Sequence, residues 1–226
     1  MSKNIRAKEG LAALNKPNQN NDIQNPPQEV INQLITLYNQ GQAKTVIKQA
    51  EILTEQYPES HVLWDILGTS NISVRMFDKA IEAYKKCISL KPEKADFYNN
   101  IGVVFKEQGK LEEAIVAYKK AILLKPDYAG VYNNIGVALS NQEKFDEAID
   151  AFKKAILLKP DYAEAYNNLS NILHELDKLE ESIEAYKKAI LLKPDYAEAY
   201  FNIGYSLTGI AYQKVDQDLV KIISIL

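Results

Sequence analysis

AILLKPDYA stands at residues 121–129, again at 155–163 and again at 189–197, so the same nine residues return at a fixed interval of 34. Pro58, Pro92, Pro126, Pro160 and Pro194 carry that interval beyond the quoted stretch. With each proline set at position 32, repeats begin at Pro27, His61, Ala95, Ala129, Ala163 and Ala197. Position 4 then reads Val30, Trp64, Tyr98, Tyr132, Tyr166 and Tyr200, and position 8, from the second repeat on, Gly68, Gly102, Gly136, Ser170 and Gly204. Position 20 reads Ala80, Ala114, Ala148 and Ser182, position 24 Tyr84, Tyr118, Phe152 and Tyr186, and position 27 Cys87, Ala121, Ala155 and Ala189.

Positions 4, 7, 8 and 11 share one face of a helix, and positions 20, 24 and 27 share one face of a second. Small residues at 8 and 20 let the two helices approach, and the aromatics at 4, 11 and 24 fill the space beside them. Polar segments such as KEQGK (106–110) and NQEKF (141–145) suit the turn between them. Proline cannot continue a helix and biases its predecessor away from helical angles. Each unit therefore reads helix A, turn, helix B, stop. A lone pair cannot bury its apolar face, but stacked pairs can, so the expected architecture is an all-α solenoid.

The bulk numbers fit that reading. At 46% hydrophobic and 25% charged, the chain is neither disordered throughout nor membrane-embedded. No run approaches the roughly 18 apolar residues of a membrane span. The N-terminus lacks the apolar core of a signal peptide, and the chain is expected in the cytoplasm. A single cysteine excludes an internal disulfide framework, and a net charge of −3 argues against a general nucleic-acid binder. Residues 1–25 are polar and expected to form a disordered tail, with KNIRAKEGLAALN (3–15) the stretch closest to a short helix. The array is expected to span 26–226, its first repeat divergent and its last degenerate.

This pattern resembles the tetratricopeptide repeat (TPR) family, most specifically over residues 61–207. The resemblance implies helix pairs wound into a right-handed superhelix, with the A helices lining a concave groove that binds protein partners. Residues 26–68 also resemble the start of bacterial TPR arrays that precede a sulfotransferase or glycosyltransferase domain. The end, DLVKIISIL (218–226), is more apolar than a chain end should be, which suggests a docked subunit or a longer protein.

Catalytic signals are weak. His61 and His174 lack partners at triad or metal-ligand spacing, and Cys87 takes a position that is alanine elsewhere, as a small core residue would. No phosphate-binding loop is present. The lysine pairs Lys85–Lys86, Lys119–Lys120, Lys153–Lys154 and Lys187–Lys188 read as a solvated outer face, with Glu82, Asp150 and Glu184 four residues before the second lysine of their pairs. No enzyme activity, metal or cofactor is expected.

One feature exceeds packing. Position 6 reads Asn32, Ile66, Asn100, Asn134, Asn168 and Asn202, although asparagine is a poor helix former. Its amide both donates and accepts, so it meets a peptide main chain on either group. Packed helices about 8–10 Å apart match about three residues of extended peptide. The ladder is similar to the one lining the TPR superhelix of O-linked N-acetylglucosamine transferases, and that resemblance implies a backbone grip for Asn100, Asn134, Asn168, Asn202 and, more weakly, Asn32. Ile66 interrupts it, so the groove there should be apolar, with Val62. A second asparagine at position 5 (Asn99, Asn133, Asn167) leaves open which one faces inward.

Groove positions 2 and 9 add Asp96, Glu164, Glu198, Asn171 and Tyr205 to the expected binding residues. An acidic groove favours neutral or basic segments over nucleic acid. The carboxylate clamp of chaperone-binding TPR proteins needs lysine at position 5 and asparagine at position 9; here those positions hold Asn99, Asn133, Asn167, Val103 and Val137. The expected function is a non-catalytic scaffold or adaptor holding an extended peptide. A substrate-presenting arm of a larger or split transferase, and homo-oligomerisation through the apolar C-terminal end, are the alternatives.

Overall fold

The protein is seen in a computed structural model that describes residues 25–209 and 211. Among the described residues, ten complete helices alternate. The A helices are α1 (Gln28–Asn39), α3 (His61–Ser73), α5 (Ala95–Glu107), α7 (Ala129–Ser140) and α9 (Ala163–Glu175). The B helices are α2 (Ala43–Gln56), α4 (Phe77–Leu90), α6 (Leu111–Leu124), α8 (Phe145–Leu158) and α10 (Leu179–Leu192). Residues 197–209 begin a sixth A helix, and the described residues contain no strand. The expectations for residues 1–24 and for DLVKIISIL lie outside the described residues.

The proline stop works as expected. α4, α6, α8 and α10 end one residue before Lys91, Lys125, Lys159 and Lys193, whose φ lies between −143° and −136° and whose ψ is positive. That is the extended backbone a following proline imposes. In the AILLKPDYA copies, Lys125, Lys159 and Lys193 lie 4.6, 4.9 and 4.6 Å from the ring centroids of Tyr128, Tyr162 and Tyr196, a cation–π contact that ties each turn. The first leucine of each copy is not core: Leu123, Leu157 and Leu191 are all 71% exposed on the outer helices.

Position 15 closes every A–B turn in left-handed backbone: Gly41 (φ 74°), Arg75 (61°), Gly109 (73°), Glu143 (59°) and Asp177 (58°). Only glycine enters that region without a steric penalty. The pairs themselves meet at position 8. A Cβ on Gly102 would stand 2.6 Å from the Tyr118 ring, and one on Gly136 2.6 Å from Phe152. Repeat five solves the same approach differently. Ser170 Oγ donates to the Ser182 carbonyl, and Ser182 Oγ returns a bond to the Ser170 carbonyl at 3.0 Å.

Burial corrects the expected core. Position 3 was not anticipated, yet Leu63, Phe97, Val131, Ala165 and Ala199 are all buried. Helix A thus carries a second apolar stripe that faces the neighbouring repeat, and every apolar cluster draws on at least two consecutive repeats. Cys87 is buried as expected, its thiol donating to the His61 carbonyl at 3.5 Å, and burial pushes that thiol far up. Of the three helix-surface pairs, only Glu184 finds a lysine of its own helix, and it chooses Lys187 at 2.7 Å, three residues on rather than four; Lys86 pairs with Glu59 across the turn.

Consecutive A helices are in backbone contact, α1 with α3 and so on to α9, whereas no two B helices are. The stack therefore curves around its A helices, as a right-handed superhelix with the concave side lined by them.

Gly102→Ala is expected to cost about 1–3 kcal/mol through overpacking, read as a lower urea midpoint. Tyr118→Phe should be neutral or stabilising, because the buried Tyr118 hydroxyl has no partner. Glu143→Gly, which relieves the left-handed strain, should raise the midpoint by up to about 1 kcal/mol after its entropic cost.

Candidate functional site

The asparagines at positions 5 and 6 act together. Asn134 Nδ2 donates to Asn99 Oδ1 at 2.9 Å, Asn99 Nδ2 to Asn100 Oδ1 at 3.3 Å, and Asn100 Nδ2 to Asp65 Oδ1 at 3.3 Å. Asn168 Nδ2 donates to Asn133 Oδ1 at 3.0 Å. Each position-6 amide thus reaches back to position 5 of the preceding repeat. Position 5 is the deeper of the two in the fourth and fifth repeats, where Asn133 and Asn167 are 2% and 0% exposed and Asn134 and Asn168 half-buried; Asn99 and Asn100 are both half-buried. One N–H of Asn100, Asn134 and Asn168 is spent on holding repeats together. In Asn134 and Asn168 the Oδ1 is not bonded to another described group.

Two expected members leave this spine. Asn32 is exposed and accepts from Gln28 Nε2 of its own helix at 3.0 Å, so it does not join the ladder. Asn202 donates instead to Asn171 Oδ1 at 3.1 Å, which also receives the Tyr186 hydroxyl. At the break Asn167 Nδ2 donates to Glu198 at 3.1 Å, and Asn167 Oδ1 is left buried without a partner. Tyr205 is exposed and packs edge-on against Phe201 at 5.1 Å between ring centroids.

Asp96, Glu164 and Glu198 are exposed. Asp96 accepts the Tyr128 hydroxyl at 2.7 Å, and that carboxylate, after burial, helps push the phenol up to about 12.

At the first repeat junction the groove deepens into a recess of about 270 Å³ between α1 and α3. Ile35, Tyr38, Val62, Ile66 and Thr69 make its walls, with Asp65 and Ser70. Val62 and Ile66 are the pair that the interrupted ladder pointed to. Asp65 and Ser70 were missed, although Asp65 stands in the sequence where later repeats carry asparagine. Burial, then the charge of Asp96, hold the Asp65 carboxyl above the usual carboxylate range, against the opposing pull of the Asn100 amide and Lys94. The Ser70 hydroxyl is buried without a partner.

The histidines do not make a catalytic pair. His61 is half-buried, edge-on to Phe97 at 6.0 Å, with burial and Lys94 lowering its pKa. His174 Nδ1 lies 2.9 Å from Ser206 Oγ, but Ser206 is 0% exposed, so this serine hydroxyl is closed to a substrate. Among the described residues no group of His, Cys, Asp and Glu has the geometry to hold a metal ion, and no helix is long and apolar enough to cross a membrane.

Models described as TPR repeat match residues 77–109, 104–143 and 170–209, and models described as tetratricopeptide repeat match 129–162 and 151–184. Together they run unbroken from 77 to 209, more than half of the chain. The chain belongs to the tetratricopeptide repeat family. Among solved TPR structures, MamA is 29% identical, with a TM-score of 0.61 over 73% of this chain and 90% of its own. YrrB, a TPR protein with an unusual peptide-binding site, shares the fold at 20% identity and a TM-score of 0.59, over 76% and 89% of the two chains. The first TPR of Spaghetti (RPAP3), bound to the HSP90 peptide SRMEEVD, is 28% identical with a TM-score of 0.51, over 52% of this chain and 94% of its own. No curated protein matches the chain in sequence.

Asp65→Asn restores the residue of later TPR units and keeps an acceptor for Asn100. A raised carboxyl pKa means the folded state binds the proton more tightly, so the contribution of Asp65 is most favourable in acid and is lost as pH rises through the window just above the ordinary carboxylate value. The variant should therefore be more stable than the native chain at pH 7, with the gain shrinking towards about pH 4. Urea midpoints at both pH values check this.

Proposed function

We propose that this TPR array is a non-catalytic scaffold that holds an extended, neutral or basic peptide segment in its concave groove, with an apolar side chain of that segment in the α1–α3 recess. The recess carries the reading: an open apolar pocket with one desolvated carboxylate, Asp65, and one unpartnered hydroxyl, Ser70, at the end of a half-satisfied amide spine. A lysine or arginine beside the apolar side chain would compensate Asp65, and the acidic rim at Asp96, Glu164 and Glu198 would favour the same charge along the groove. The relative bound to SRMEEVD lends support for a peptide in a TPR groove, but that peptide is acidic and would be repelled here. The self-assembly reading rests on DLVKIISIL, outside the described residues, and the transferase-arm reading on the resemblance of residues 26–68 alone; neither is carried forward.

A peptide array probed with the native chain, Ile66→Arg and Asp65→Asn tests the reading. Ile66→Arg fills the recess with a cation at a half-buried wall position, and circular dichroism establishes that it folds. Peptides with an apolar residue next to Lys or Arg should bind the native chain and lose at least about tenfold in both variants. Binding unchanged in both variants, or preference for acidic peptides, would sink the proposal.

A further inference from the structure

The same repeat junction carries a second cavity, on the opposite, convex side, of about 430 Å³. Glu51, Thr54 and Glu55 of α2 face Trp64, Leu67 and Asn71 of α3 and Lys79, Glu82 and Ala83 of α4 across it. The repeat register explains why it exists. Position 11 holds Phe105, Leu139 and Leu173 in the next three repeats, but Asn71 here. Position 28 is Ile88, Ile122, Ile156 and Ile190 elsewhere, but Thr54 here. Position 29 is Leu123, Leu157 and Leu191 in three repeats, but Glu55 here, and position 25 is lysine in repeats two to five, but Glu51 here. Four polar or acidic replacements from two repeats thus converge on one notch, and the missing apolar filler opens it.

The walls offer acceptors. Asn71 is 1% exposed; its Nδ2 is committed to the Leu67 carbonyl at 2.9 Å, which fixes the amide orientation and leaves Oδ1 buried without a partner. Thr54 Oγ1 donates its proton back to the Glu51 carbonyl at 2.8 Å, so only its lone pairs remain. Trp64 Nε1 is likewise spent, on the Pro58 carbonyl at 2.8 Å. The one cation, Lys79, bridges to Glu51 at 3.1 Å. Among the described residues no cation pairs with Glu55 or Glu82. An occupant must therefore bring donors and positive charge, with a stem that tolerates Leu67 and Ala83.

We infer that this notch binds a guanidinium group, the arginine side chain of a partner polypeptide. Guanidinium carries five N–H donors and no acceptor, which matches the acceptors Asn71 Oδ1, Thr54 Oγ1, Glu55 and Glu82, with Lys79 held by Glu51, and its plane is suited to an indole neighbour. The site is separate from the groove, so a bound segment on each face is sterically independent.

Trp64 is the only tryptophan of the chain, so its fluorescence reports on the cavity directly. N-acetyl-L-arginine amide titrated into the full chain should give a saturable change. N-acetyl-L-citrulline amide, uncharged and similar in shape, and the lysine derivative should each bind at least about tenfold more weakly. Free L-arginine should also bind more weakly, since its own carboxylate meets Glu55 and Glu82. Asn71→Leu, which restores the filler of the other repeats, should abolish the response while raising the melting temperature. Glu55→Gln/Glu82→Gln, an exposed pair that leaves the core intact, should weaken binding by about tenfold. No saturable response in the native chain, an undiminished response in Asn71→Leu, or equal binding of the lysine derivative overturns the guanidinium assignment; equal or tighter binding of free arginine overturns the polypeptide source. Loss of peptide-array binding in Ile66→Arg with the Trp64 response intact separates this site from the groove.

Discussion

Everything in this molecule depends on an aromatic ring lying against a bare Cα. Position 24 of α4, α6 and α8 places Tyr84, Tyr118 and Phe152 over the position-8 glycine of the paired A helix, nearer than any Cβ would allow. That contact sets how close the two helices stand and how they are rotated about their axes. Once the rotation is set, positions 3 and 7 of helix A meet the preceding repeat, and positions 2, 6 and 9 face away from helix B. Ser170 shows that the constraint is geometric rather than chemical: with a side chain at position 8, the fifth repeat keeps the approach through reciprocal bonds between Ser170 and Ser182.

The curvature follows from which helices touch. A helices come into backbone contact with one another and B helices do not, so the A faces close into a groove and the B faces splay. The floor of the groove carries buried polar groups, and each one left unpaired costs stability. The paired asparagines meet part of that need: Asn99 and Asn133 supply the acceptor, and Asn134 and Asn168 of the next repeat supply the donor. The amide ladder thus ties consecutive repeats together.

Departures from the repeat are more informative than the repeat itself. Both cavities lie at the first junction, where Asp65 replaces asparagine, Ile66 interrupts the ladder, Asn71 and Thr54 replace apolar fillers, and Glu55 replaces an exposed leucine. A solenoid stabilised mainly between neighbours tolerates one polar junction, because the cost stays local. These exceptions converge on opposite sides of one junction, at the N-terminal end of the array.

The repeat alone determined the helix pairs, their boundaries and the proline stops, because spacing of 34 and small–aromatic complementarity admit few other packings. It also pointed to Asn100, Asn134 and Asn168, and to an apolar groove at Val62 and Ile66. It could not tell position 5 from position 6, since adjacent helix positions differ by only about 100° and the pitch between repeats decides which is deeper. Nor could it show that Asn32 bonds within its own helix, that Asn202 turns to Asn171, or that position 3 is core. Those outcomes depend on the rotation and rise from one repeat to the next, which side-chain identities along one chain do not encode separately. The left-handed turns at Arg75, Glu143 and Asp177 were hidden for a related reason: closure of the helix pair imposes that backbone whether or not glycine is there.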